Sequence, residues 1–272
     1  MTLPQAILLG IVQGLTEFLP VSSTAHLRIV PALAGFADPG AGYTAILQLG
    51  TLAAVLWYFW TDITQLLRAW MAGILRGLPF GTPLARQGWL IIAATLPIIA
   101  CGLLLKPWIK EDLATGTVPL LRTLTAVAIQ LLAGSALLAA AEAYAAWRAK
   151  RGLPGKETGQ LGARETLGMG LFQCLALLPG MSRSGSTISG GLLLGLTRET
   201  AARFSFLLSL PAITAAAFYA AYDDVLKPLV KNEETAAWLS GDHRWQLPIA
   251  TVVSGLVGYA AIAFLLNYLK RH

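Results

Sequence analysis

Gln13-Gly14-Leu15-Thr16-Glu17-Phe18-Leu19-Pro20-Val21-Ser22-Ser23-Thr24-Ala25-His26 interrupts an otherwise apolar N-terminus. The stretch gathers a carboxylate (Glu17), an imidazole (His26), an amide (Gln13) and four hydroxyls (Thr16, Ser22, Ser23, Thr24) around Pro20. Polar groups at this density are costly in hydrocarbon and stand there when something uses them. Pro20 disfavours helix at Leu19 and removes a backbone donor, so a first helix over 5–19 stops there. Such a helix covers about 22 Å, short of the roughly 30 Å of a hydrocarbon core. Ser22, Ser23 and Thr24 are good caps for a second short arm running to about Leu33. The reading is a re-entrant hairpin over 5–33 that dips into the membrane and returns, its irregular backbone buried in protein or lining a wet cavity. Ala6, Gly10 and Gly14, spaced by four, give the first arm a face for close helix packing.

The rest of the chain supports a membrane setting. It has 272 residues, 56% hydrophobic and only 12% charged, with a mean hydropathy of +0.63. A soluble domain carries about 25% charged residues. The spans 39–61, 87–105, 123–141, 204–222 and 245–269 contain no Asp, Glu, Lys or Arg, and each is about long enough to cross as a helix. Residues 1–16 lack a basic n-region and a small-residue cleavage site, so they read as helix and not as a cleaved signal peptide. The net charge of +6 is scattered over loops, which argues for topology signals and against nucleic acid. Cys101 and Cys174 lie in apolar segments without Cys-x-x-Cys spacing and read as packed free thiols.

Crossings are expected at 43–60, 87–105 and 120–146 in a first half (1–146), and at 203–222 and 247–268 in a second half (162–272). Trp57, Tyr58 and Trp60 form an interfacial belt. Residues 61–86 read as a loop with Gly77-Leu78-Pro79 and Gly81-Thr82-Pro83 as breakers. Lys106-Pro107-Trp108 marks a helix exit, Pro97 and Pro211 read as bends, and 147–165 reads as the most basic and flexible loop. A second broken segment, 166–195, is interrupted by Pro179-Gly180 and Ser182-Arg183-Ser184-Gly185-Ser186-Thr187. Gly190-Gly191 lets backbones approach closely there.

The two broken segments match. Gly10-Ile11-Val12-Gln13 overlays Gly170-Leu171-Phe172-Gln173 and, with one residue of slippage, Pro20-Val21-Ser22-Ser23-Thr24 meets Pro179-Gly180-Met181-Ser182-Arg183. Paired broken helices in corresponding positions point to a midplane site between repeats. Three crossings between the hairpins make them enter from opposite faces. The expected fold is therefore an all-α polytopic membrane protein with an inverted-topology repeat. The side reached after the first crossing holds 12 basic residues, from Arg68 to Arg271, and the N-terminal side holds seven: Arg28, Lys106, Lys110, Arg122, Lys227, Lys231 and Arg244. The positive-inside rule makes the richer side cytoplasmic and the N-terminus external.

Gln13 and Glu17 share one helix face, where an amide and a carboxylate can address one cation or a phosphate-bound water. Ser22, Ser23 and Thr24 open the second arm, whose free N–H groups favour an anion. Arg183 is the only basic residue in the middle of a broken apolar segment, and its fork suits phosphate. His26 is the proton carrier in reach. Other readings of the same residues are structural. Glu17 alone serves equally as a hydrogen-bonding group, the serines as caps, Arg183 as a salt-bridge partner of Glu17, and His26 as a packed imidazole. His243 and His272 read as solvated.

At these residues the chain resembles the bacitracin-resistance type of undecaprenyl-diphosphate phosphatase. The motifs are Gln13-x-x-x-Glu17-Phe18-Leu19-Pro20-Val21-Ser22-Ser23-Thr24-x-His26 and Pro179-Gly180-Met181-Ser182-Arg183-Ser184-Gly185, followed by Ser186-Thr187-Ile188-Ser189-Gly190-Gly191. The resemblance covers nearly the whole chain. It implies hydrolysis of a C55 isoprenyl diphosphate to the lipid monophosphate carrier of cell-wall synthesis, in the bacterial inner membrane, with the site facing the periplasm. It implies Glu17 working with Mg²⁺ or Ca²⁺, with Gln13 as the second metal-site residue. Ser23 is the implied nucleophile, His26 the acid/base and Arg183 the phosphate clamp, with Ser22, Thr24, Ser182 and Ser184 about the phosphate. The implied partners are the lipid substrate, the bilayer and a second copy in a homodimer. Gln13 stands where many members have Glu, and Ala25 where Gly is usual. Members usually continue into one more apolar helix, so the chain is expected to be truncated or naturally short. Whether serine or water attacks is open at this level. A transporter or lipid flippase is the alternative, since broken helices in inverted repeats also serve carriers.

Overall fold

Proline and hydroxyl chemistry set the two breaks around which the helices are arranged. The computed structural model describes residues 1–38, 40–109, 120–220, 222 and 245–271. Lys110, Lys227, Lys231, Arg244, His243 and His272 lie outside the described residues. Ten α-helices are found among those described. Helix α1 (Leu3–Phe18) ends with Leu19 in an extended conformation, as Pro20 requires. Helix α2 (Ser23–Ala34) starts from Ser22, whose Oγ accepts from the Ala25 N–H, and closes on Gly35 at φ 72°, a left-handed cap that glycine tolerates.

The second break repeats the device. Helix α7 (Ala163–Gln173) tightens into a 3₁₀ turn over Cys174–Leu177. Helix α8 (Arg183–Leu193) then starts from Ser182, whose Oγ accepts from the Gly185 N–H. Ser22 (φ 68°) and Ser182 (φ 60°) are the two non-glycine residues with positive φ among the described residues. They stand at the same spacing as Gln13 and Gln173, so the caps coincide without the one-residue slippage read from the sequence. Matching turn geometry, and not matching prolines, sets the register.

Helix α8 is the centre of the molecule. Ser184 through Leu192 are all buried, and α6, α7 and α9 pack around them. Three of its hydroxyls turn back on backbone carbonyls in or just before the helix: Ser186 Oγ donates to Met181 O, Thr187 Oγ1 to Arg183 O and Ser189 Oγ to Gly185 O. That is how so polar a helix stays inside. A Cβ on Gly190 would lie 2.7 Å from Phe172 and one on Gly191 2.8 Å from Ala201, so both glycines mark close approaches.

Helices α5 (Pro83–Ile109), α6 (Leu124–Lys150), α9 (Arg198–Ala220) and α10 (Gln246–Arg271) are long and apolar enough to cross a membrane. Helix α5 runs past Lys106 to Ile109, and α9 runs unbroken through Pro211. Helix α3 (Gly40–Tyr58) meets that test only together with α4 (Trp60–Leu75), across a 78° bend. The expected loop 61–86 is thus mostly helix, with only 76–82 outside α4 and α5. Apolar residues at Ile63, Leu66 and Trp70 recur at helical spacing, and Gly77 at φ 68° follows the helix end. Arg203 holds the bend, its guanidinium 5.4 Å from the Phe59 ring centre and 3.1 Å from Asp62 Oδ2. Trp57 and Trp60 point outward, as an interfacial belt does.

The small face of α1 packs on α10. Added Cβ atoms on Gly10 and Gly14 would lie 2.5 Å from Ala250 O and 2.7 Å from Ser254 O. The 147–165 segment is held more firmly than a flexible loop. Helix α6 continues to Lys150, the Lys156 N–H donates to Gly195 O (2.8 Å), and the Thr197 N–H donates to Lys156 O (3.1 Å). Both cysteines are free and half-buried.

Candidate active site

The Glu17 carboxylate joins the two breaks. Glu17 lies in the last turn of α1, 5% exposed. Its Oε2 accepts from Gln13 Nε2 one turn earlier (2.9 Å) and from Ser23 Oγ across the break (2.7 Å). Its Oε1 accepts from Arg183 Nη2 (2.8 Å), 166 residues away. The α1 helix fixes Gln13 under Glu17 by the i, i+4 relation. The turn at Pro20–Ser22 folds Ser23 back over the end of α1. Arg183, the first residue of α8, arrives from the second break with its side chain 12% exposed.

A second contact fixes the two breaks to each other. Ser184 Oγ donates to the carbonyl of Leu19 (3.1 Å), the residue that ends α1. Ser182 Oγ and Ser184 Oγ are 3.2 Å apart. Phe18, next to Glu17, meets Phe206 edge to face at 5.3 Å.

Of the residues singled out by sequence, Gln13, Glu17, Ser23 and Arg183 come together on one carboxylate. Ser22 and Ser182 spend their hydroxyls on capping, with Ala25 N at 3.4 Å and Gly185 N at 3.1 Å. Thr24 follows on the same turn, half-buried. His26 does not contact Ser23 in the hydrogen-bond network. Its Nδ1 lies 2.9 Å from Ser22 O, and a carbonyl only accepts, so Nδ1 carries the proton. In the neutral ring Nε2 is then the lone-pair nitrogen.

Two polar atoms at this junction are buried without a hydrogen-bond partner: Arg183 Nη1 and Gln13 Oε1. One is a cationic donor and the other a hard oxygen acceptor, the complements of a phosphate and of a cation. No group of three or more His, Cys, Asp or Glu suited to a metal occurs among the described residues. The sequence reading missed the direct Ser23–Glu17 hydrogen bond and the Ser184–Leu19 stitch. Both depend on how the breaks fold back, which spacing along the chain does not encode.

Comparison with known proteins adds an independent line. A family model described as bacitracin resistance protein BacA matches residues 6–272. The chain is 52% identical over 272 residues to a protein of Chlorobium phaeobacteroides (strain BS1) named undecaprenyl-diphosphatase, covering 100% of this chain and 90% of that one. Proteins of the same name from Chlorobium limicola and Chloroherpeton thalassium are 50% and 51% identical over 275 and 272 residues, again with 100% and 90% covered.

Proposed function

The chain belongs to the bacitracin resistance protein BacA family, and from that membership and the Glu17 junction we propose a multi-pass bacterial membrane hydrolase acting on undecaprenyl diphosphate. Its products are undecaprenyl phosphate and inorganic phosphate, which returns the lipid carrier to cell-wall synthesis and confers bacitracin resistance. Nothing in the relatives' names favours the transporter or flippase alternative. In the arrangement we favour, the two broken helix pairs are re-entrant hairpins of an inverted repeat. The N-terminus and the site then face the periplasm, as the loop charges suggest. Gln13, Glu17, Ser23 and Arg183 are brought together within one chain.

The observation that carries the mechanism is the 2.7 Å hydrogen bond from Ser23 Oγ to Glu17 Oε2. Nucleophilic serine needs a base in such reach. Ser23 Oγ attacks the terminal phosphorus, its proton passes to Glu17, and the P–O bond to the lipid phosphate breaks. Water then attacks the phosphoserine, the Oγ–P bond breaks as Ser23 Oγ takes its proton back from Glu17, and inorganic phosphate leaves. The water's proton is taken by His26 at Nε2, the ring being oriented by Ser22 O. Phosphoryl transfer is chiefly a matter of position and charge neutralisation, and Arg183 supplies both. Nη2 stays on Glu17 while Nη1 is available for a phosphate oxygen. The amide N–H groups opening α2 add donors on the nucleophile's side.

The donor set fits a divalent cation of the hard kind. The Glu17 carboxylate and the buried, unpaired Gln13 Oε1 are oxygen donors such as Mg²⁺ or Ca²⁺ take. With one carboxylate, substrate phosphate oxygens and water would complete its shell. Bound there, the cation would neutralise charge on the diphosphate.

The test is phosphate release from undecaprenyl diphosphate by purified protein, combined with trapping of labelled phosphate on Ser23. Label on Ser23 in wild type, and loss of both label and turnover in Ser23→Ala, is the expected result. Turnover retained in Ser23→Ala but lost in Glu17→Ala would overturn the serine step in favour of direct attack by water.

A further inference from the structure

We infer that the chain carries a second anion site, for the phosphate of an anionic lipid, at the opposite end of α8 from the active site. Helix α8 begins at Arg183 and ends at Leu193, about 16 Å further on. Beyond that end lies a cavity of about 680 Å³ walled by the end of α6, the 153–159 loop, the start of α9 and the end of α10, a size typical of small-ligand sites.

Four cations line it: Arg148, Arg198, Arg203 and Lys270. They come from the same-side ends of three spanning helices, so the cavity sits at headgroup level. Three are engaged by carboxylates: Arg198 with Glu142 (2.7 Å), Arg203 with Asp62 (3.1 Å) and Lys270 with Glu199 (3.7 Å). Arg148 has no carboxylate partner among the described residues. One Nη donates weakly to Pro154 O at 3.4 Å, and its guanidinium lies 5.9 Å from the Tyr144 ring centre. An Arg so placed is positioned for a planar, two-oxygen acceptor.

Helix α9 opens on the same space. Thr197 caps it by accepting from the Thr200 N–H (3.2 Å), while the Arg198 and Glu199 amides ahead of it have no acceptor among the described residues. Glu157 and Glu199 also line the cavity and disfavour a highly charged anion, which selects a singly charged phosphodiester over a free phosphate dianion. Leu153, Leu196 and Leu269 complete the wall and give an apolar stem somewhere to lie. Basic pockets between spanning helices bind lipid headgroups by this combination of charge and apolar wall. This site does not depend on the reaction assigned to Glu17 and Ser23.

Native mass spectrometry of the full chain, with phosphatidylglycerol, phosphatidylcholine or inorganic phosphate added to detergent-purified protein, tests it. Wild type is expected to retain one phosphatidylglycerol in preference to phosphatidylcholine. Arg148→Gln should lose that adduct by about tenfold, the scale of one charge-assisted hydrogen bond, and Arg148→Lys, which keeps the charge, by less. Excess inorganic phosphate should not displace the lipid. Equal retention of both lipids, an unchanged adduct in a folded Arg148→Gln, or displacement by inorganic phosphate would overturn the lipid site.

Discussion

Glu17 and Arg183 stand 2.8 Å apart, carboxylate to guanidinium, although 166 residues separate them. One lies in the last turn of the first helix of the chain and the other begins the helix at its centre. Their side chains are 4% and 12% exposed, so the pair is desolvated and each charge depends on the other. The contact is at once the weld between two breaks and the place where a phosphate would compete for the guanidinium.

Removing one partner leaves a buried charge alone, at a cost of about 3–5 kcal/mol. Glu17→Gln and Arg183→Met should each lower Tm clearly. The double variant should regain part of that loss, since neither charge remains. Turnover should fall by about 10²–10³ or more in all three, because the proposed mechanism takes its base from Glu17 and a phosphate donor from Arg183. Thermal unfolding in detergent, set beside phosphate release, checks both halves. A double variant whose Tm loss equals the sum of the singles would mean the two residues are not coupled.

Ser22 and Ser182 hold a backbone conformation that costs a non-glycine residue about 1–3 kcal/mol, while their side chains cap α2 and α8. Ser→Gly removes the strain and costs only a few tenths of a kcal/mol as a cap. Ser22→Gly and Ser182→Gly should therefore keep or raise Tm. Ser22→Val, β-branched at φ 68°, should lower it by several degrees. If Gly and Val variants melt alike, the positive φ is not what these positions demand.

Much of this could be read from composition and local chemistry. Pro20 ended α1 where expected, the uncharged spans became long helices, and Gln13 and Glu17 shared a face because i and i+4 must. Two things were not legible. Helix α4 was hidden because glycine and proline breakers crowd its far end, outweighing the helical spacing of Ile63, Leu66 and Trp70. The Ser23–Glu17 contact was hidden because His26 is nearer to Ser23 in sequence, whereas the turn at Ser22 points the imidazole at a carbonyl and swings Ser23 onto Glu17. A one-residue error in aligning the breaks had the same origin, since the left-handed serines, and not the prolines, set the register.

The α1–α10 contact predicts a steric limit. Gly10 and Gly14 approach the Ala250 and Ser254 carbonyls so closely that even a methyl group forces the helices apart. Backbone on the receiving side cannot rotate away. Gly14→Val should lower Tm more than Leu15→Val, its neighbour, whose side chain is 44% exposed and where such surface changes cost about 0.5 kcal/mol or less. Since α1 carries Glu17, turnover should fall with Tm in Gly14→Val. Equal Tm for the two variants would count against this packing.

Acid should weaken the molecule through Glu165, at the start of α7 and outside the spanning helices. Burial alone would raise its pKa. The Lys156 ammonium at 2.6 Å and the Gly162 N–H at 3.0 Å outweigh that and hold it below the usual carboxylate range. A carboxyl depressed in the folded state contributes stability that is complete above its unfolded pKa and is lost as pH falls through its folded one. Lys156 is 41% exposed, so solvent limits the contribution to about 1 kcal/mol, or about 2–4 °C for a chain of this size. Glu165→Gln should melt below wild type at neutral pH, and the two curves should converge in acid. Lys156→Met should behave the same way, because it removes the partner that sets the shift. Curves that run parallel from neutral to acid pH would show that this pair does not fasten the 151–162 segment to α7.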